Sequence, residues 1–151
     1  MTRTGTRELA VRLAFALAEN GRGAAELVEE VLSEEYYATL CGEDELYKSM
    51  PRGGEREYLD RVVEGVASRF AELNGYIEKY SVGWQVSRIS REAAAIMRVA
   101  MFEMLHMPEI PTSSAIDAAI DLAKKYETEE TTAFVNGVLG SFARDEVRNE
   151  G

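Results

Sequence analysis

The sequence predicts an all-α fold, a compact bundle of six or seven helices. Three observations carry that reading. Apolar residues recur at i, i+3, i+4 and i+7 through most of the chain. No stretch alternates apolar and polar residues over the length of a strand. No long internal repeat marks a solenoid or an array. The 151 residues set one domain, 1–151. A chain of this size buries roughly 68–70% of its unfolded surface, enough for one core.

Residues 6–20 read as the first helix. Leu9, Leu13, Ala16 and Leu17 form one stripe, and Ala10, Ala14, Phe15 and Ala18 widen it. A helix this apolar is expected to pack on more than one side. Asn20-Gly21 ends it, with glycine available for a left-handed cap. Residues 23–40 read as one helix, with Ala24, Leu27, Val28, Val31 and Leu32 inward and Glu26, Glu29, Glu30 and Glu34 outward. Cys41 to Gly54 carries little pattern and reads as a connection, with one short turn from Asp44 to Tyr47.

A third helix starts near Glu55 and holds its period through Leu59, Val62, Val63, Val66, Phe70, Leu73 and Ile77; Asn74-Gly75 is where a kink or split is expected. Ser81 to Ile89 is a connector with the single Trp84. Ser90 then caps a helix whose face of Ala93, Ile96, Met97, Ala100, Met101, Met104 and Leu105 is nearly continuous, which predicts the central buried helix. Pro108 and Pro111 stop it, since proline lacks the amide donor and restricts its neighbour.

Ile116, Ala119, Ile120 and Ala123 give the next helix one apolar face, and Ser114 with Asp117 fits a capping box. Thr128 caps the last helix, with Glu129 and Glu130 on its positive end and Val135, Val138, Leu139 and Phe142 inward. Gly137 costs about 1 kcal/mol against alanine inside a helix, so a close approach of another helix is expected there.

Several function classes are set aside. The 46% hydrophobic content excludes wholesale disorder. No apolar run reaches the ~18 residues of a membrane span, and Glu8 and Arg12 interrupt any signal-peptide pattern. Cytoplasmic residence is the default. Cys41 is alone and His106 is the only histidine, so no metal site and no cofactor is expected. No nucleophile elbow, phosphate loop or dinucleotide fingerprint occurs, so no catalytic residue is assigned.

The net charge of −10 is unlike that of a nucleic-acid binder, but its distribution is uneven. Arg3, Arg7 and Arg12 face only Glu8 in residues 1–18, whereas residues 19–50 hold nine acids against Arg22 and Lys48. Arg3 and Arg7 read either as helix-end solubility or as a mobile basic arm on phosphates. The arm precedes the first apolar stripe, so its loss is expected to leave folding intact. Tyr126 and Phe134 lie at the edges of their stripes; such aromatics are either half-buried core or platforms for unpaired bases.

The stretch Ile116-Asp117-Ala118-Ala119-Ile120-Asp121-Leu122-Ala123-Lys124, an acidic turn, and Phe134-Val135-Asn136-Gly137-Val138-Leu139 resembles the NusB family of bacterial transcription antitermination factors. Trp84 to Glu103 is similar to that family's G-W-x-x-x-R-hydrophobic-S segment and the I-L-R-hydrophobic-A-hydrophobic-x-E run that follows it, and Arg7-Glu8 with the apolar run after it to its first helix. The resemblance spans nearly the whole chain and is weakest from about Gly21 to Gly54. It implies a non-enzymatic factor that binds single-stranded boxA leader RNA with the ribosomal protein NusE, within the transcription elongation complex. It implies RNA contact by Arg3, Arg7, Tyr126 and Phe134.

Glu130, in the turn between those aromatics, is expected to repel phosphate and restrain affinity. Thr4 stands where the family's arm has a second arginine. The family often has an acidic residue where this chain has Ala93, with Glu92 adjacent, and these two mark the expected partner contact. Ala118 replaces another family glutamate. Two other readings stand beside this one. One is a protein–protein adaptor of the same fold with weak or lost RNA binding. The other is an RNA-binding module like the N-terminal domain of ribosomal RNA cytosine methyltransferases, against which the absence of a catalytic domain before Gly151 weighs. Monomer and homodimer both fit the sequence.

Overall fold

The computed structural model describes residues 1–20, 23–83 and 89–147. The expected glycine cap at Gly21 and the connector residue Trp84 lie outside the described residues. Among the described residues there are eight α-helices and no strand: α1 (Arg3–Asn20), α2 (Ala24–Val31), α3 (Glu34–Leu40), α4 (Gly54–Ser68), α5 (Phe70–Tyr80), α6 (Arg91–His106), α7 (Thr112–Tyr126) and α8 (Glu129–Glu146). A single 3-10 turn, Glu45–Lys48, follows α3 where a short turn was expected, with Asp44 accepting from the Leu46 amide at 3.0 Å.

The helix number exceeds the expected six or seven because two continuous apolar periods are interrupted. Ser33 adopts extended backbone after α2, donates its hydroxyl to the Glu30 carbonyl at 2.9 Å and accepts from the Tyr36 amide at 3.3 Å. Those local bonds compete with the helix ladder and restart it as α3. The second break falls at Arg69, not at Asn74-Gly75, which sit inside α5.

The chain divides into two compact units, Met1–Ser68 and Arg69–Gly151. In the first, α1 packs on α4, and α2 packs on both. Leu9, Ala10, Leu13, Ala14 and Leu17 meet Leu27, Val28, Leu59, Val62, Val63 and Val66 in its core. Ala18, expected in the apolar band of α1, is exposed. The segment expected as a mobile arm is helical from Arg3 onward. Thr2 caps it: its hydroxyl accepts from the Gly5 amide at 2.9 Å, and its carbonyl accepts from the Thr6 hydroxyl at 2.8 Å.

In the second unit α6 packs against α5, α7 and α8. Ala93 and every residue from Ala95 to Met104 are buried, so α6 is enclosed as its sequence predicts. Burial on this scale, at roughly 25 cal/mol per Å² of apolar surface, is what holds the unit. One cation is built into it: Arg98 lies with its guanidinium 4.4 Å from the Phe70 ring centre and donates Nε–H to Asn74 Oδ1 at 2.7 Å. Burial lowers its pKa from the ordinary value. At the other end of α8, Glu146 accepts from the Tyr80 hydroxyl and from Lys79 Nζ at 2.8 Å, while the Phe142 ring meets Tyr76 and Tyr80 edge to face.

α7 starts one residue after Pro111, whose carbonyl accepts from the amides of Ser114 and Ala115. The expected Ser114–Asp117 capping box is therefore already inside the helix, because proline's fixed φ sets the first turn. The expected close approach at Gly137 is also absent: it is exposed, and a Cβ there would meet nothing within 4 Å.

Candidate nucleic-acid interface

In the first unit the three N-terminal arginines have different fates. Arg3, on the first turn of α1, is exposed. Arg7, one turn on, is only 9% exposed and lies over the Tyr58 ring of α4 at 6.0 Å. Arg12 bonds Glu8 at 3.2 Å, Asp44 at 2.9 Å and the Tyr47 hydroxyl at 3.1 Å, and stacks over Tyr47. So the local excess of positive charge is partly used to hold α1 against α4 and the 3-10 turn. The expectation that both arm arginines can be removed without cost to folding is overturned for Arg7, whose stem and guanidinium are packed.

The sequence holds no cue to Tyr58 as the partner of Arg7, since the two lie on different helices far apart in the chain. Neither did it connect Arg12 to Asp44 and Tyr47, which belong to the stretch with least pattern.

In the second unit the α7–α8 turn is built from local hydrogen bonds. α7 ends at Tyr126, which is 39% exposed and has Lys125 Nζ 5.6 Å from its ring centre. Thr128 caps α8 as expected, accepting from the Thr131 amide at 3.1 Å, and its carbonyl accepts from the Thr132 hydroxyl. Glu129 and Glu130 are exposed in the first turn of α8, beside its unpaired amides. Glu130 stands four residues before Phe134 and so shares its face of the helix.

Phe134, the other aromatic, is 8% exposed. At the edge of its stripe it is nevertheless core, because α8 is contacted by α5, α6 and α7 and its buried arc is correspondingly wide. Of the two candidate stacking rings, only Tyr126 presents an open surface of any size.

The expected partner contact sits close by. The Ser90 hydroxyl accepts from the Ala93 amide at 3.0 Å, capping α6, and donates to Glu127 Oε2 at 3.0 Å, just past the end of α7. The start of α6 and the α7–α8 turn are thus one region of this unit. Within it Glu92 is exposed, whereas Ala93 has no accessible surface. Between α7 and α8 runs an open groove of about 840 Å³ with Asp117, Asp121, Glu127 and Glu129 on its walls, Lys124 among them and Ile120 and Ala133 as apolar lining. Among the described residues no three His, Cys, Asp or Glu side chains gather as a metal-binding set. His106 ends α6 with its ring 5.1 Å from Phe102.

The profile of the NusB family matches residues 4–144. A transcription antitermination protein NusB of Acetivibrio thermocellus is 38% identical over 144 residues, covering 95% of this chain and 90% of that protein. One of Clostridium kluyveri is 34% identical and covers 97% of both. Among solved structures, a crystal form of T. maritima NusB superposes with a TM-score of 0.78 at 25% identity, covering 98% of this chain and 94% of that one.

Proposed function

The chain belongs to the NusB family, and from that premise we propose that it is a cytoplasmic transcription antitermination factor acting by binding, not by bond chemistry. It binds single-stranded boxA leader RNA together with the ribosomal protein NusE. The pair then joins the transcription elongation complex during ribosomal RNA synthesis. The observation that carries this reading is the family match along nearly the whole chain, residues 4–144. No helix among the described residues is long and apolar enough to cross a membrane.

In this reading Arg3 supplies an exposed cation to phosphate from the first turn of α1, and Arg7 a cation fixed over Tyr58. Tyr126 is the ring on which a base stacks. Phe134 supports that surface from beneath, and Glu130, one turn ahead of it, limits affinity. Glu92, with Ala93 closed beneath it, marks the NusE contact.

A second reading, an adaptor that has lost RNA binding, is favoured by the net charge of −10 and by the acidic groove between α7 and α8. Fluorescence anisotropy of a short boxA-like single-stranded RNA, titrated with the protein with and without NusE, decides between them. Binding that tightens when NusE is present supports the antitermination reading. Protein that binds NusE and leaves the RNA free in both titrations replaces it with the adaptor.

A further inference from the structure

The first unit holds a second groove, of about 350 Å³, between the first turns of α1 and α4. Arg3 and Thr6 line it from α1; Arg52, Gly54, Glu55 and Tyr58 line it from the start of α4. We propose that this groove is a phosphate subsite for the RNA, and that Arg52 is a phosphate-binding residue acting opposite Arg3. The inference rests on the RNA-binding reading above and adds to it a residue from outside the N-terminal segment.

The placement of Arg52 is built into the backbone. Gly53 takes a φ of +59°, a left-handed conformation that side-chain-bearing residues rarely adopt. That turn lets the Glu55 amide bond the Arg52 carbonyl at 3.1 Å and the Glu57 amide bond the Gly53 carbonyl at 3.0 Å, so α4 begins immediately. Arg52 is thereby fixed at the mouth of the groove with its side chain exposed, as Arg3 is on the opposite wall.

The charge in the groove is positive although the chain is acidic. Its one carboxylate, Glu55, accepts from the Arg52 amide at 3.3 Å and lies 3.5 Å from the Met1 amino group. Neither guanidinium facing the groove is needed to neutralise it. The start of a fifteen-residue helix adds partial positive charge from its unpaired amides. The volume is that of a single nucleotide-sized ligand, not of a folded partner. Tyr58 does not offer a stacking face to the groove's occupant on the side where Arg7 covers its ring, so the chemistry is that of a phosphodiester between two guanidinium groups. Each guanidinium presents paired donors suited to two phosphate oxygens.

Arg52 adds a second cation to the groove that Arg3 lines, from another element of the chain. No sequence periodicity pointed to it, because it falls in the connection ahead of α4.

The test is a salt titration of RNA affinity by anisotropy, using the same boxA-like RNA with NusE present. Parent protein, Arg3→Gln, Arg52→Gln, Arg52→Lys and the exposed control Lys48→Gln are compared, with urea melts alongside. Arg52→Gln is expected to weaken binding about three- to ten-fold and to flatten the plot of log affinity against log salt by about 0.7, the value for one phosphate contact on a single strand. Arg52→Lys should restore most of the slope, and Lys48→Gln should leave it unchanged. Parent protein that binds RNA while Arg52→Gln matches it in affinity and slope overturns the subsite alone. An equal loss in Arg52→Gln and Lys48→Gln overturns it too, as a general charge effect. Parent protein that binds no RNA in any titration overturns the functional reading and the subsite with it.

Discussion

Replacing Gly137 by alanine should make the protein more stable. The residue lies in the interior of α8, more than two turns from either end, and is exposed. Its φ is negative, since the glycines with positive φ among the described residues are Gly53 and Gly83. A Cβ built there meets nothing within 4 Å. The steric term is therefore zero, and what remains is the helix propensity difference plus the entropy that alanine removes from the unfolded chain, together about 0.5–1 kcal/mol. For a chain of about this size that raises Tm by roughly 1–4 °C.

Gly75 supplies an internal standard. It sits inside α5, is exposed, and its added Cβ also meets nothing within 4 Å. Gly75→Ala should gain a similar amount, and the double variant should show the sum, since the two share no partner. Urea melts of the parent, the two single variants and the double measure this directly. A Gly137→Ala variant less stable than the parent, beside a Gly75→Ala variant that gains, would refute the reasoning by revealing a close neighbour at α8. A variant that gains stability but loses RNA or NusE binding would instead show that the bare backbone there serves a ligand.

Four further outcomes follow from the structure. Asn74→Ala leaves the buried Arg98 guanidinium without its 2.7 Å acceptor and should cost about 1.5–3 kcal/mol, whereas Arg98→Met, which removes the charge and keeps apolar volume, should cost less; equal and additive losses in urea melts would contradict the coupling. Met97→Asp places a carboxylate at a site with no accessible surface and should cost several kcal/mol, so a Tm within a degree or two of the parent would remove α6 from the core. Glu130→Gln should tighten RNA binding about two- to five-fold at low salt while lowering stability by about 0.3–1 kcal/mol, and a stability loss with flat affinity would make Glu130 a helix-end charge only. The Tyr37 hydroxyl donates to the Ser49 carbonyl, and burial, with Tyr47 nearby, pushes its pKa up to about 12; a raised pKa means that its contribution is full below about pH 10 and lost as pH rises to 12, so stability should fall more steeply over that window in the parent than in Tyr37→Phe.

What was legible in the sequence is what short-range patterns encode. The enclosure of α6 could be read because its apolar residues leave almost no polar face, whatever packs on it. The Thr128 and Ser90 caps could be read because a hydroxyl and an amide three residues apart make a bond independent of the rest of the fold. The break at Ser33 could not, since the apolar period runs through it and only the serine's own hydrogen bonds decide the outcome. Phe134 stays open between core and platform in the sequence because a helical wheel counts one apolar face, whereas α8 has three neighbours. The commitments of Arg7 to Tyr58 and of Arg12 to Asp44 and Tyr47 depend on pairings between distant stretches, which no local spacing records.

The Glu146 clamp sets a practical boundary for anyone reshaping the end of this protein. A chain trimmed to finish at Arg144 would retain Phe142 between Tyr76 and Tyr80 but would take from Tyr80 and Lys79 the carboxylate they share. The last turn of α8 would then fray from α5. A label or fusion joined after Val147 leaves that carboxylate in place, so the safe attachment point and the damaging truncation lie within three residues of each other.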